Sequence, residues 1–166
     1  MEHNFTKTQE NISLRPLCEN DLENLRQWRN DKDLSKYLSP VPHITSEQQQ
    51  KWFEQWRNHP TGYLFAIEFD GALVGSVALD NVEGGSGEFG RFMLSGETRG
   101  KGVGRLATQL TLKIAVEQLG LRKVWATVHQ KNSAAIITYL KSGFVITGNE
   151  KLADDEYQLI ILYEVK

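Results

Sequence analysis

Apolar positions near the start of the chain first follow a strand pattern and then shift to helical spacing. Residues 12–17 read as a strand. Asn20 and Glu23 form a capping-box-like helix start, followed by Leu22, Leu25 and Trp28 at helical intervals. Pro40 and Pro42 mark a loop. Thr45 with Gln48, or Ser46 with Gln49, caps a second helix with Trp52, Phe53 and Trp56 on one side. His59-Pro60 ends it, because a residue before proline avoids the helical region. Residues 63–69 form a nearly unbroken apolar strand, Asp70-Gly71 is a primed hairpin turn, and residues 72–79 return as its partner.

Residues 84–87, Gly-Gly-Ser-Gly, read as a flexible connection. Residues 88–94 form a strand whose faces are not cleanly separated, and Gly90 marks a bulge in it. A helix over 103–119 has Leu106, Leu110 and Ile114 as its core stripe, with Gly120 at the C-terminal position. A strand over 123–128 precedes a helix over 133–142, stopped by Gly143. Residues 144–152 and 157–165 make a last hairpin around Asp154 and Asp155. The pattern amounts to seven strands and four helices in one mixed α/β domain over 11–166, behind a polar tail over 1–10. Gln-Trp-Arg-Asn occurs at 27–30 and 55–58. With only two copies of four residues, it reads as helix-end chemistry rather than a repeat.

Composition narrows the function. A chain of 166 residues can bury a sizeable single core. The net charge is −2 and no long stretch is basic, which argues against a nucleic-acid partner. No apolar run reaches membrane-spanning length, and the polar start does not resemble a signal peptide, so the cytoplasm is the expected compartment. Cys18 is the only cysteine, so no internal disulfide is possible; it reads as inert. His3, His43 and His59 lack ligand spacing, and no metal site is expected.

The chemistry concentrates in Arg99-Gly100-Lys101-Gly102-Val103-Gly104-Arg105. Glycines let backbone approach a phosphate, and a helix start offers unpaired N–H groups and a positive dipole end. Three cations suit a polyanion. The spacing fits neither the P-loop, G-x-x-x-x-G-K-[ST], nor the dinucleotide fingerprint, G-x-G-x-x-G. What remains is R-x-x-G-x-G, from Arg99 through Gly102 to Gly104. That pattern resembles the acyl-CoA pyrophosphate loop of the GNAT superfamily of N-acetyltransferases. A second constellation strengthens the resemblance. Asn132 and Tyr139 are seven residues apart, close to two helical turns, and share a side with Ala135; Ile137 and Leu140 on the opposite side are expected in the core. The run from Asn132 through Tyr139 to Gly143-Phe144 resembles the GNAT pattern N-x₆-Y-x₃-G-F. Leu14-Arg15-Pro16-Leu17 resembles the branch of ribosomal-protein alanine and spermidine acetyltransferases. Trp28-Arg29-Asn30 resembles acetyltransferases of nucleotide-linked amino sugars.

The resemblance implies a mostly antiparallel seven-stranded sheet flanked by four helices. Two of its parallel strands, 88–94 and 123–128, would splay to admit acetyl-CoA as co-substrate. Backbone of Met93 and Leu94 would pair with the pantetheine arm. N–H groups of residues 101–105 would hold the pyrophosphate, with Arg99, Lys101 and Arg105 side chains on other phosphate oxygens. Cofactor contacts would thus span Arg99, Gly100, Lys101, Gly102, Val103, Gly104 and Arg105, together with Asn132 and Ala135. Tyr139 would act as general acid toward the leaving thiolate, since a phenol near 10 lies close to a thiol near 8.5. Glu88 would orient a water, act as base after burial raises its pKa, or attract the ammonium; His129 is the fallback base. Trp28, Arg29, Asn30 and Tyr37 are the expected acceptor-binding residues. The implied activity is acetylation of a primary amine on a small metabolite, such as a nucleotide-linked amino sugar or polyamine. Protein N-terminal acetylation and a non-catalytic acyl-CoA-binding module are the alternatives. Asp31, Asp33, Glu83, Asp154, Asp155 and Glu156 read as solvated turn residues rather than a polycation site. Relatives in this superfamily are often dimers, so a homodimer is a possible assembly.

Overall fold

A computed structural model describes residues 3–153 and 155–165. In chain order the elements are β1 (Lys7–Gln9), β2 (Ile12–Pro16), α1 (Leu22–Asn30), α2 (Lys32–Ser35), α3 (Ser46–Arg57), β3 (Tyr63–Phe69), β4 (Ala72–Glu83) and β5 (Ser86–Leu94). Then follow α4 (Val103–Glu117), β6 (Lys123–His129), α5 (Ser133–Lys141), β7 (Val145–Ala153) and β8 (Glu156–Glu164). The strands form one eight-stranded sheet in the order β1-β2-β3-β4-β5-β6-β8-β7. Every neighbouring pair is antiparallel except β5 and β6.

Strand alternation sorts the core into two layers. On one face Phe65, Ile67, Val77, Leu79 and Phe89 pack with Val103, Leu110 and Ile114 of α4 and Tyr139 of α5. On the other, Leu64, Ala66 and Ala78 pack with Leu22 and Leu25 of α1 and Phe53 and Trp56 of α3. The Thr45–Gln48 capping box opens α3 as its sequence predicts.

The fold corrects several expectations. The eighth strand comes from the supposed tail: Lys7–Gln9 pairs with Ile12–Leu14, turning at Glu10 in the left-handed region. Side chains of α4 tie it down, since Lys113 Nζ donates to Gln9 Oε1 at 2.7 Å and Lys7 contacts Glu117. The Asn20–Glu23 cap does not form. Asp21 takes over, accepting from Cys18 N at 2.9 Å and from both Arg15 terminal nitrogens at 2.7 and 2.8 Å. Glu23 pairs with Arg26 instead. Residues 84–87 are not a flexible link: Gly84 and Gly85 are a tight turn at positive φ, and Ser86 and Gly87 already belong to β5. Ile137 and Leu140 are exposed at 52% and 43%, because α5 turns Tyr139, Ile136 and Ala135 toward the core. Asp155 sits at φ 59 in the last turn; Asp154 lies outside the described residues.

Candidate functional site

β5 and β6 run parallel but pair over three residues only: Ser86 with Lys123, Gly87 with Val124, and Glu88 with Trp125. Beyond Glu88, β5 keeps its antiparallel partner β4 out to Leu94 opposite Gly75, while β6 keeps β8 out to His129. The sheet therefore forks at Glu88. The edges facing each other across the fork carry backbone groups with no strand partner, and such edges pair readily with an extended ligand.

The fork is shaped locally by Gly90 and Arg91. Ser76 pairs with Met93 and Ala78 with Gly90, so two residues on β5 oppose one on β4. This is the expected bulge, centred one position later, with Arg91 at φ 50. Gly75 is required here: a Cβ on it would stand 2.3 Å from the Met93 carbonyl oxygen.

At the end of β5 the chain makes a 3-10 turn over Gly96–Thr98 and reaches α4 through Gly100 and Gly102, at φ 77 and 76. No side chain caps α4. Lys101 N donates to Thr98 O, and Arg105 N to Gly102 O. The Gly102, Val103 and Gly104 N–H groups make no hydrogen bond among the described residues, leaving a narrower amide cradle than the sequence reading of 101–105. Cβ atoms on Gly100 or Gly102 would project into open space. Arg99 and Arg105 are exposed beside it, whereas Lys101 Nζ reaches over the Phe69 ring at 5.8 Å.

Tyr139 enters the fork from the α4–α5 face. It is 7% exposed and caged by Phe89, Phe92 and Phe144, with ring centroids 5.4, 6.2 and 5.7 Å away. Burial pushes its phenol well above the ordinary value. The proton thus stays on the phenol across neutral pH, and the gap to a thiol is wider than reference values imply. Asn132 caps α5, its Oδ1 accepting from Ala135 N at 3.2 Å, which leaves its amide nitrogen as the group for a ligand.

The opposite face presents Glu88, half-buried, whose Oε2 accepts from Asn81 Nδ2 at 2.8 Å. Its register partner on β4 is Asp80, which lies 3.6 Å from His59 Nε2. From β6, His129 stacks on Tyr37 at 5.4 Å, so the segment after α1 roofs the fork. Arg29 donates to the Ser39 carbonyl within that roof. Trp28 packs against the α1–α3 core. Asn30 has both ends of its amide engaged by Ile44, at 2.9 and 2.8 Å, and so braces the roof rather than presenting a free group.

The two faces thus flank the fork with an uncapped helix start and a buried phenol on one side and a carboxylate on the other. A family model described as an acetyltransferase (GNAT) domain matches residues 11–145. The chain belongs to the GNAT acetyltransferase family. It is similar to the spermidine N(1)-acetyltransferase of Escherichia coli (strain K12), 27% identical over 139 residues that span 82% of this chain and 74% of that one. It is also similar to acetyltransferase PseH of Campylobacter jejuni, 24% identical over 131 residues, 79% of this chain and 81% of that one. Its fold matches spermidine N-acetyltransferase from Vibrio cholerae in complex with CoA and spermine, with a TM-score of 0.84 and 22% identity over 93% of this chain and 95% of that one. It likewise matches ribosomal-protein-S5-alanine acetyltransferase from Vibrio fischeri, with a TM-score of 0.80 and 20% identity over 97% of each chain.

GNAT enzymes take their acetyl group from acetyl-CoA, and this GNAT domain has groups that fit it. The uncapped α4 start matches a pyrophosphate, and the open fork edge matches an extended amide-bearing arm. Sequence reasoning missed Asn81, which holds Glu88, and the aromatic cage of Tyr139. It also missed Arg91, whose guanidinium lies 4.4 Å from the Trp56 ring centre. The only signal for Arg91 was its place beside the bulge glycine. A separate cleft of about 600 Å³, lined by Leu17, Cys18, Phe53 and Trp56 among others, includes none of the fork residues. No helix is long and apolar enough to cross a membrane among the described residues, and no cluster of metal-ligating side chains occurs among them.

Proposed function

We propose that this GNAT domain transfers the acetyl group of acetyl-CoA to a primary amine on a small metabolite, by direct attack within the fork. The carrying observation is the end of the β5–β6 ladder at Glu88–Trp125, next to the caged Tyr139. The amide cradle at Gly102, Val103 and Gly104, flanked by Arg99 and Arg105, holds the pyrophosphate. Unpartnered backbone near Met93 and Leu94 holds the pantetheine arm and polarises the thioester carbonyl. Asn132 Nδ2 and Ala135 line the arm's path.

An alkyl ammonium has a pKa near 10.4, so the acceptor arrives charged and must lose a proton before it attacks. Glu88, held by Asn81, attracts the ammonium and passes that proton to water. The amine nitrogen then bonds to the thioester carbon, the carbon–sulfur bond breaks, and Tyr139 gives its proton to the departing sulfur. The attacking nitrogen sheds its second proton to water as the amide forms and the phenolate regains one from solvent, so each transfer releases one proton overall and charge balances.

The Tyr37–His129 roof suits a compact acceptor better than an extended peptide. Nucleotide-linked amino sugars and polyamines are the leading acceptors. A homodimer rests on the apolar side chains left exposed on α5 and β7, Ile137, Leu140, Val145 and Ile146; sedimentation reads it directly. The test of function is free-thiol release from acetyl-CoA across a panel of amino sugars, polyamines, amino acids and peptide N-termini. Release with a small amine supports the reading. Release with peptides alone would move it to N-terminal acetylation, and acetyl-CoA binding without release to a non-catalytic module.

A further inference from the structure

The acceptor side of the fork carries opposite charges at its two ends. At the apex, Glu88 of β5 is the register neighbour of Asp80 of β4. Three residues along β5, Arg91 is held at φ 50 within the bulge. A bulge re-aims a side chain, and a left-handed arginine is strained unless something fixes it there. Its guanidinium lies over Trp56 at 4.4 Å and Trp52 at 5.8 Å, on the α1–α3 face.

Arg29 lies in the last turn of α1, which packs on α3, the helix whose Trp52 and Trp56 underlie Arg91. Burial lowers the Arg29 pKa first, and the positive charge of Arg91 lowers it further. Its hydrogen bond goes to the neutral Ser39 carbonyl. Among the described residues neither guanidinium has a carboxylate within ion-pair distance. Arg29 is half-buried and Arg91 exposed; their like charges repel, and an anion placed between them relieves that repulsion.

We propose that the acceptor carries a phosphate or carboxylate group besides its amine, and that Arg29 and Arg91 hold it. This rests on the amine-acetylation reading above and names the acceptor class. At about 3.3 Å per strand residue the backbone of Glu88 and Arg91 is at most about 10 Å apart, the bulge shortening the span. The acceptor therefore presents its amine to Glu88 and its anion toward the bulge. A polyamine would put a second cation against two guanidiniums, so this chain parts from its spermidine-acetylating relatives at this point.

The experiment compares acetylation of 5-aminopentanol, 5-aminopentyl phosphate, 6-aminohexanoate and spermidine by the intact protein. We expect kcat/KM at least tenfold higher for one or both anionic amines than for the alcohol, with the difference collapsing as salt rises. The phosphate and carboxylate arms tell which anion fits. Arg91→Asn, which tolerates the left-handed backbone, and Arg29→Gln should each cost the preferred anionic amine at least ten times more than they cost the alcohol, mainly in KM. Arg91→Lys should restore part of the loss. Melting temperature and acetyl-CoA affinity verify that the variants are folded. Spermidine or the alcohol acetylated as well as both anionic amines overturns the inference, as do equal losses on charged and neutral acceptors; amine acetylation itself would stand. Should no amine release thiol, the amine-acetylation reading falls and calorimetry decides the anion site separately. Tighter binding of 5-aminopentyl phosphate to wild type than to Arg91→Asn supports the site, and equal binding overturns it.

Discussion

Replacing Tyr139 by phenylalanine separates chemistry from packing. The ring is 7% exposed and would keep its contacts with Phe89, Phe92 and Phe144. Its hydroxyl makes no hydrogen bond among the described residues, so deletion strands no partner. We expect a stability change below about 1 kcal/mol, because the larger costs arise when a buried partner is left unsatisfied. In a domain of this size that is a melting shift of about 4 °C or less. Loss of a general acid typically costs about 10²–10⁴ in rate. We therefore expect turnover to fall at least ~100-fold, about 2.7 kcal/mol in the barrier, with acetyl-CoA affinity within about twofold. Burial also sets a pH signature. The folded phenol titrates above its unfolded value near 10. Above about pH 10 the unfolded chain releases a proton that the folded one retains, so stability falls as pH rises further. Tyr139→Phe should lack that alkaline component. Stopped-flow turnover, calorimetry and denaturation from pH 7 to 11 read these effects. Wild-type turnover in the variant would remove Tyr139 from the reaction, and an unchanged alkaline stability profile would refute its burial.

Three further outcomes follow from geometry. Gly75→Ala puts a methyl 2.3 Å from the Met93 carbonyl oxygen; overpacking of this kind costs about 1–3 kcal/mol, read by urea denaturation, and a neutral substitution would mean that β4 and β5 shift freely. Gly102→Ala and Gly84→Ala both force alanine into positive φ with open space around it, at about 1–2 kcal/mol each. Only Gly102→Ala should also weaken acetyl-CoA binding, by tenfold or more in a calorimetric titration; equal affinities would move the pyrophosphate away from the α4 start. Arg15→Gln removes two charged hydrogen bonds from buried Asp21, worth about 1.5–3 kcal/mol at neutral pH. Burial raises the Asp21 pKa, but Arg15 and the Cys18 amide outweigh it and hold the carboxyl below its usual range. Wild type therefore keeps this stability above about pH 4 and loses it as pH falls through the depressed folded value. Its advantage over the variant should shrink in acid denaturation curves.

The parts of the fold legible in the sequence are those whose signals are local. Asp70-Gly71 names its turn, Thr45 and Gln48 name the start of α3, and alternating glycines name the entry to α4. Three features depended on distant partners and could not be read this way. β1 has no apolar alternation and is held by backbone pairing and α4 side chains. The start of α1 went to Asp21 because Arg15, six residues earlier, engages both of its oxygens. The inward face of α5 is set by packing on Phe89 and Phe144, which spacing within the helix cannot reveal. The same division runs through the candidate site. The cofactor loop and Tyr139 stood out as motifs. The left-handed Arg91, the Asn81 brace on Glu88 and the engaged amide of Asn30 emerged only once strands and loops were placed together.

A sheet joined at its middle by only three rungs, Ser86–Glu88 against Lys123–Trp125, is in effect two half-sheets sharing a hinge-like seam. Whatever threads the opening acts as a missing staple between them. Amide protons lining that seam should exchange with solvent faster in the free protein than in the loaded one, and heat resistance should climb with the concentration of the threaded thioester. The abundance of this protein in a cell would then follow the size of the coenzyme pool, an effect separate from any change in its turnover.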